Sequence, residues 1–379
     1  MRLLVTFVGG LGHLAPLLPL ARAARDAGHD VALAGSGGLV PHIEQAGFTA
    51  FATSPPPHHA QAPDRQPRTP LEVMDAHAAE VEFADNFADR GARRMAGAVP
   101  AILRDFRPDL VLRDETDLGT TIAAELHGTP VATHLVLASG MIVRPDLVAP
   151  RLDVVRAEHG LPADPDLTRL TSGPVLSAAA PSFRSPDAPL RVTDPVHYRA
   201  GATPVTRKRP GRTCVYATLG TIFNKGSGDL FERLASGLGA LDADVLLTVG
   251  RDVDPADLGP VPARVRVERF VPHEEAVAAA DVVVHHGGSG SLMAALAHGL
   301  PSVLLPLGAD QPHNARRAHE LGLAATLDAA TATPAEVGRA VDRALADASM
   351  RSRCEAVAAE LRALPDAESA VATLCTAAA

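Results

Sequence analysis

Two segments of this chain share one pattern, and that pattern narrows the fold more than any other feature. "RLLVTFVGGLGHLAPLLPLARAARDAG" (Arg2 to Gly28) and "DVVVHHGGSGSLMAALAHG" (Asp281 to Gly299) each pass from an apolar run through a glycine turn into an Ala/Leu-rich stretch with helical spacing. A short strand that is apolar on both faces has to be covered on both, which places it in a parallel sheet between helices. The surroundings repeat the alternation. "DVALAG", "LVPHIEQAG" and "FTAFAT" continue the first half as strand, helix and strand, and "CVYATLG", "DVLLTVG", "VRVERFV" and "PSVLLPL" supply strands of the second. The fold class predicted is α/β: two Rossmann-like, doubly wound domains, 1–200 and 201–379, joined near residues 185–212 and facing each other across a cleft. Ligands of such sheets lie beyond the carboxyl ends of the strands.

Elsewhere the pattern loosens. "SPPPHHAQAPDRQPRTP" (Ser54 to Pro70) is too proline-rich for regular structure. A helical stretch is expected from Leu71 to about Phe106 with Pro100 as its candidate break, and a loop-like region from Arg144 to about Gly211 with one short helix at Leu152–His159. The bulk numbers exclude several classes. With 46% hydrophobic residues the chain can build full cores, yet no apolar run reaches the length of a membrane span and no cleavage-site pattern follows Met1, so a cytoplasmic protein is expected. A net charge of −9 and a single basic cluster, "TRKRPGR", offer no nucleic-acid face. Cys214, Cys354 and Cys375 have no metal-ligand spacing and read as idle thiols.

The turns carry the chemistry. "GGLGHLA" has the G-x-G-x-x-A of a dinucleotide site, but the second strand ends in "VALAGSGG" without the acid that holds a ribose, which argues against NAD. His13 stands where that turn becomes a helix, and a histidine there suits a general base. "LVLRDETDLG" ends a strand of the same half with Asp114, Glu115 and Asp117. Asp114, at the strand end, is the candidate partner of His13, and Asp117 the candidate cap of the following helix. In "HHGGSGS" the turn offers backbone N–H groups and a helix N-terminus to an anion, with one imidazole and the hydroxyls of Ser289 and Ser291 to help. It lacks the P-loop lysine, and adjacent histidines on an extended chain point oppositely, which disfavours a metal. Asp310 and Gln311, just after the next strand, suit a polyhydroxyl group. The D-x-D at Asp252 and Asp254 stands beside Pro255 without supporting context and is not read as a metal site.

The segment "VVHHGGSGSLMAALAHGLPSVLLPLGADQPHNARRAHELG" resembles the C-terminal signature of family 1 glycosyltransferases of the GT-B fold, in particular actinobacterial enzymes that decorate polyketides and other natural products. "GGLGHLAPLLPLARAARDAGHDV" resembles that family's N-terminal signature, and the likeness spans nearly the whole chain. The resemblance implies an inverting, metal-independent transfer of a sugar from a nucleoside diphosphate, a TDP-deoxysugar among the bacterial enzymes, with no further cofactor. It implies that His13 is the base for the acceptor and Asp114 its acid partner. His286 would contact the diphosphate within a cradle of Gly287, Gly288, Ser289, Gly290 and Ser291, and Asp310 and Gln311 would read the sugar. Phe270 and Val271 would lie in the loop holding the base, with Thr218, Gly220 and Thr221 facing the nucleotide. Plant relatives stack a Trp on the base, and this chain has none. The acceptor belongs to the first half, where Gly12, Met74, Phe83 and Met141 are candidates. Phe87, four residues after Phe83, reads as a core-facing stripe. The last residues, "LPDAESAVATLCTAAA", are expected to form a helix that returns to the first domain. A sugar-nucleotide 2-epimerase, a lipid-linked cell-wall sugar transferase and an inactive sugar-nucleotide-binding partner are the competing readings. A homodimer and a helper protein are left open.

Overall fold

A computed structural model describes the chain except for residues 57–70, 72, 74, 202–210, 225, 252 and 379. It divides into two compact units, the first comprising Met1–Pro63, Glu80–Ala202 and Leu364–Ala379, the second built on Thr203–Ala363.

The first unit is built on seven parallel strands: β1 (Arg2–Thr6), β2 (Asp30–Ser36), β3 (Thr49–Ser54), β4 (Leu110–Asp114), β5 (Val131–Leu135), β6 (Val175–Ser177) and β7 (Val196–His197). They lie in the order β3-β2-β1-β4-β5-β6-β7, so the winding reverses between β1 and β4. Side-chain alternation divides the apolar residues between two covered faces. Leu3, Val5, Leu33, Leu110 and Leu112 face Leu17, Leu20 and Ala21 of the first helices, and there the terminal helix Ala367–Ala378 adds Ala370, Val371 and Leu374 to the core. Leu4, Ala32, Ala34 and Val111 meet Met95, Val99, Leu103 and Phe106 on the other face.

The second unit repeats the plan with β8 (Thr213–Thr218), β9 (Ala243–Thr248), β10 (Val265–Glu268), β11 (Val282–His285), β12 (Ser302–Leu304) and β13 (Ala324–Thr326), all parallel, in the order β10-β9-β8-β11-β12-β13. Its reversal lies between β8 and β11.

Three local expectations are corrected. The helix Ala92–Phe106 runs through Pro100 unbroken, because its buried face (Met95, Val99, Ile102, Leu103, Phe106) offsets the one backbone bond a proline removes. Before it, Ala84–Gly91 is a π-helix, which repeats more slowly than an α-helix and shifts which side chains share a face. The region after Arg144 holds a full helix, Pro145–Glu158, opened by a proline in the position helices favour for one. No described helix is long and apolar enough to cross a membrane.

Candidate functional site

In the first unit the chain leaves β1, turns at Gly9 and Gly10, and enters a short helix, Leu11–Leu14, that carries His13. Gly9 has φ +115°, and a Cβ there would stand 2.3 Å from the imidazole Cδ2, so the ring lies where only glycine leaves room. The neighbouring strand β4 ends in Asp114, fully buried. His13 and Asp114 thus meet at the point where the sheet's winding reverses, the place where such sheets bind ligands.

The contacts between them define the protonation pattern. His13 Nδ1 lies 3.2 Å from Asp114 Oδ2 and 3.1 Å from Thr116 Oγ1. The Thr116 hydroxyl donates to Asp114 Oδ1 at 2.7 Å, so it can only accept from the ring. Nδ1 is therefore the protonated nitrogen, and Nε2 is the basic one. Asp114 is held rigidly. Its Oδ1 also accepts the backbone N–H groups of Thr116 and Asp117, the latter at 2.9 Å.

The other two acids of this turn do different work. Glu115 is buried and pairs with Arg184 at 3.0 Å, while its second oxygen accepts the N–H groups of Val136 and Leu137. It shapes the loop leading to half-buried Met141. Asp117 accepts from Thr6 Oγ1 and from Thr120 Oγ1, both at 2.6 Å, and from Thr120 N in the first turn of the helix Gly119–His127, whose N-cap position is Leu118. Burial pushes its carboxyl up to about 6.

Phe87, read from the sequence as a core residue, packs its ring 5.6 Å from that of His13. Phe83 is buried and stacks on Phe87 at 4.7 Å. Phe87 also packs on the core around Val8 and Met95, as expected, so it serves the core and borders His13 at once. Gly12 is exposed on the same short helix as His13. Met74 lies outside the described residues.

In the second unit the corresponding turn follows β11. His285 is buried beneath it. Its Nδ1 accepts the N–H of Gly287 at 3.2 Å, and its Nε2 donates to Ser302 Oγ at 3.2 Å, so it builds the turn. His286 points into different surroundings. A Cβ on Gly220 would fall 2.6 Å from its Cε1 and one on Gly288 2.5 Å from its Nε2, so the ring is bracketed by glycines from two loops. Its Nδ1 is buried without a hydrogen-bond partner. Burial, with the nearby charge of His273, pushes the imidazole down to about 4, so it is neutral near pH 7. The helix Ser289–Ala297 begins here, with Ser289, Gly290 and Ser291 in its first turn.

Ser289 Oγ donates to Asp310 Oδ2 at 2.6 Å, and Asn314 Nδ2 binds Asp310 Oδ2, the Gly287 carbonyl and Ser289 Oγ. Asn314 was not singled out in the sequence, although it ties the two glycine-turn elements together. Its signal was its place one helical turn after Asp310. Gln311 is buried, and its Oε1 accepts the N–H groups of Leu307 and Gly308, so that oxygen shapes the turn. Thr218 Oγ1 accepts the N–H of Gly220, and Thr221 is exposed. Val271 packs on the second unit's core, while Phe270 is 55% exposed with the Arg251 guanidinium 4.5 Å above its ring. Asp254 caps the 3-10 helix Pro255–Leu258 and pairs with Arg269, whereas Asp252 lies outside the described residues.

One unit therefore supplies an imidazole–carboxylate pair suited to taking a proton. The other supplies a neutral imidazole, a helix N-terminus and small residues suited to an anion.

Comparison with known proteins finds relatives over nearly the whole chain. Residues 232–377 match the family "Erythromycin biosynthesis protein CIII-like, C-terminal domain". The chain is 30% identical to L-demethylnoviosyl transferase of Streptomyces niveus over 95% of its own length and 97% of that protein's. It is also 30% identical to tylactone mycaminosyltransferase of Streptomyces fradiae, covering 96% and 90% of the two chains. Among solved structures, glycosyltransferase SnogD from Streptomyces nogalater superposes with a TM-score of 0.75 at 26% identity, covering 100% of this chain and 99% of that one. SsfS6 of Streptomyces sp. SF2575, complexed with thymidine diphosphate, superposes with a TM-score of 0.74 at 25% identity, covering 99% of both chains.

Proposed function

The chain belongs to the actinobacterial glycosyltransferases of antibiotic pathways, which have the GT-B fold, and from that premise we propose that it moves a deoxysugar from a TDP-sugar to a polyketide-type or other natural-product aglycone with inversion at the anomeric carbon. The observation that carries the reading is the fixed tautomer of His13. Asp114 and Thr116 hold its proton on Nδ1, which makes Nε2 the proton acceptor.

In the proposed step His13 Nε2 takes the acceptor hydroxyl proton while the acceptor oxygen attacks the anomeric carbon. The bond from that carbon to the diphosphate breaks, and TDP leaves. Asp114 stabilises the imidazolium formed. The charge growing on the diphosphate is met by the N-terminus of the helix Ser289–Ala297, by the N–H of His286 and by the Ser291 hydroxyl, while Ser289, whose proton goes to Asp310, holds the turn. Asp310 binds sugar hydroxyls, with Gln311 contributing through its amide NH2. Phe270 and Val271 hold the base, and Thr218, Gly220 and Thr221 line the nucleotide. Gly12, Met141 and Phe83, the last through Phe87, shape the acceptor side. The leaving group is stabilised by protein dipoles and N–H donors, so the reaction needs no divalent metal and EDTA should leave the rate unchanged.

The first test is thermal stabilisation by TDP, UDP, GDP and NAD. A ligand at 100 times its Kd stabilises the native state by about 2.7 kcal/mol, enough to move the melting temperature by several degrees. A TDP-selective shift supports the reading. A UDP-selective shift moves the donor assignment toward the epimerase or wall-sugar transferase, and stabilisation by NAD alone overturns it.

A further inference from the structure

Arg113 is, with Arg156, one of the two largest fully buried side chains in the described structure, 1% exposed. Strand alternation sets it on the face of β4 opposite Asp114. Its guanidinium then turns under the end of the strand. Nη1 donates to the carbonyls of Asp114 at 2.9 Å, Glu115 at 3.2 Å and Asp117 at 3.2 Å, and Nη2 to the carbonyl of Leu170 at 2.6 Å. Thr133 Oγ1 donates to that same Leu170 carbonyl. Among the described residues no carboxylate comes within ion-pair distance of Arg113, and its Nε has no partner.

A buried charge is costly, and a methionine would fill similar volume without it. What methionine lacks is a planar fork whose one arm, Nη1, holds carbonyls of the 114–117 turn while the other, Nη2, ties them to the Leu170 carbonyl, and lysine, with a single nitrogen, lacks it as well. With those carbonyls drawn down onto the guanidinium, the N–H groups of Thr116 and Asp117 turn toward Asp114 Oδ1, and Oδ2 faces His13 and the N–H of Val8. We propose that Arg113 is a positioning residue for proton transfer at His13, holding the 114–117 turn in the one conformation that presents the Asp114 carboxylate to the imidazole. This rests on the assignment of His13 and Asp114 made above.

The test is the His13 titration followed by NMR in wild type, Arg113→Lys and Asp114→Asn, alongside steady-state kinetics. Arg113→Lys keeps the charge and loses the fork. It should move the His13 pKa downward, in the same direction as Asp114→Asn but less far, and lower kcat by about tenfold or more at an unchanged donor KM. If Arg113→Lys lowers only the melting temperature and leaves the His13 titration and kcat in place, the residue is structural and the proposal fails. If Asp114→Asn also leaves His13 unmoved, the pairing of His13 with Asp114 fails instead. Should Arg113→Lys not fold, wild-type protein serves. There the Arg113 guanidinium resonances should shift as His13 titrates, and resonances that ignore that titration would overturn the proposal.

Discussion

After β1 an imidazole stands against a buried carboxylate, while after β11 an imidazole stands among glycines with its Nδ1 unpartnered. Both lie in a strand–glycine turn–helix unit beside the strand where the sheet reverses. The backbone plan is shared, so the difference comes from what the adjoining strand delivers. β4 brings Asp114 to His13, whereas the loop after β8 brings Gly220 to His286. On the proposed reading, one fold unit yields a proton acceptor where a carboxylate adjoins the imidazole and a neutral anion donor where none does.

The strongest way to break this comparison is to remove the carboxylate. Asp114→Asn keeps the shape but takes away the charge that stabilises the imidazolium, and kcat should fall by about 10²–10⁴-fold with TDP affinity unchanged. Gly9→Ala attacks the same turn sterically. Its Cβ would meet the His13 ring at 2.3 Å in a backbone conformation that alanine resists, so kcat should drop by about tenfold to a hundredfold. Gly220→Ala is the matched change in the second unit, displacing His286. It should raise the donor KM more than it lowers kcat at saturating donor, and a pure kcat effect would contradict the division of roles.

Acid stability sharpens the comparison with a smaller effect. Burial holds His134 down at about 4, and His285 and His286 are lowered in the same way. The unfolded chain binds these protons below about pH 6.5, so the stability they contribute is complete above that pH and is lost as pH falls toward 4. For His134 the loss at pH 5 is about 2 kcal/mol. Asp117, raised to about 6, acts in the opposite sense and returns about 1 kcal/mol between pH 7 and pH 5. Urea midpoints at pH 7 and pH 5 should show a net loss at pH 5.

Much of this was legible in the sequence, for physical reasons. Strands apolar on both faces announce a covered parallel sheet, and the glycine turn after β1 marks where the sheet's winding reverses. Asp114 could be chosen from three acids because it ends the strand. Other features depend on tertiary placement. Nothing local marks Ala84–Gly91 as a π-helix, and although Phe87 packs on the core as its spacing suggests, its second contact, with His13, is visible only in the fold. Gln311 reads as a ligand group, yet burial commits its Oε1 to the turn. Arg113 was not singled out in the sequence, and only its carbonyl partners reveal why a charge sits in the core.

The most direct test sets TDP affinity, measured calorimetrically, beside the transfer rate for His13→Ala and His286→Ala. The account predicts that His13→Ala binds TDP as wild type does while transferring sugar at least about 10²-fold more slowly. It predicts that His286→Ala weakens TDP binding. His13→Ala retaining a tenth or more of the wild-type rate, or losing TDP affinity while His286→Ala keeps it, would contradict the account.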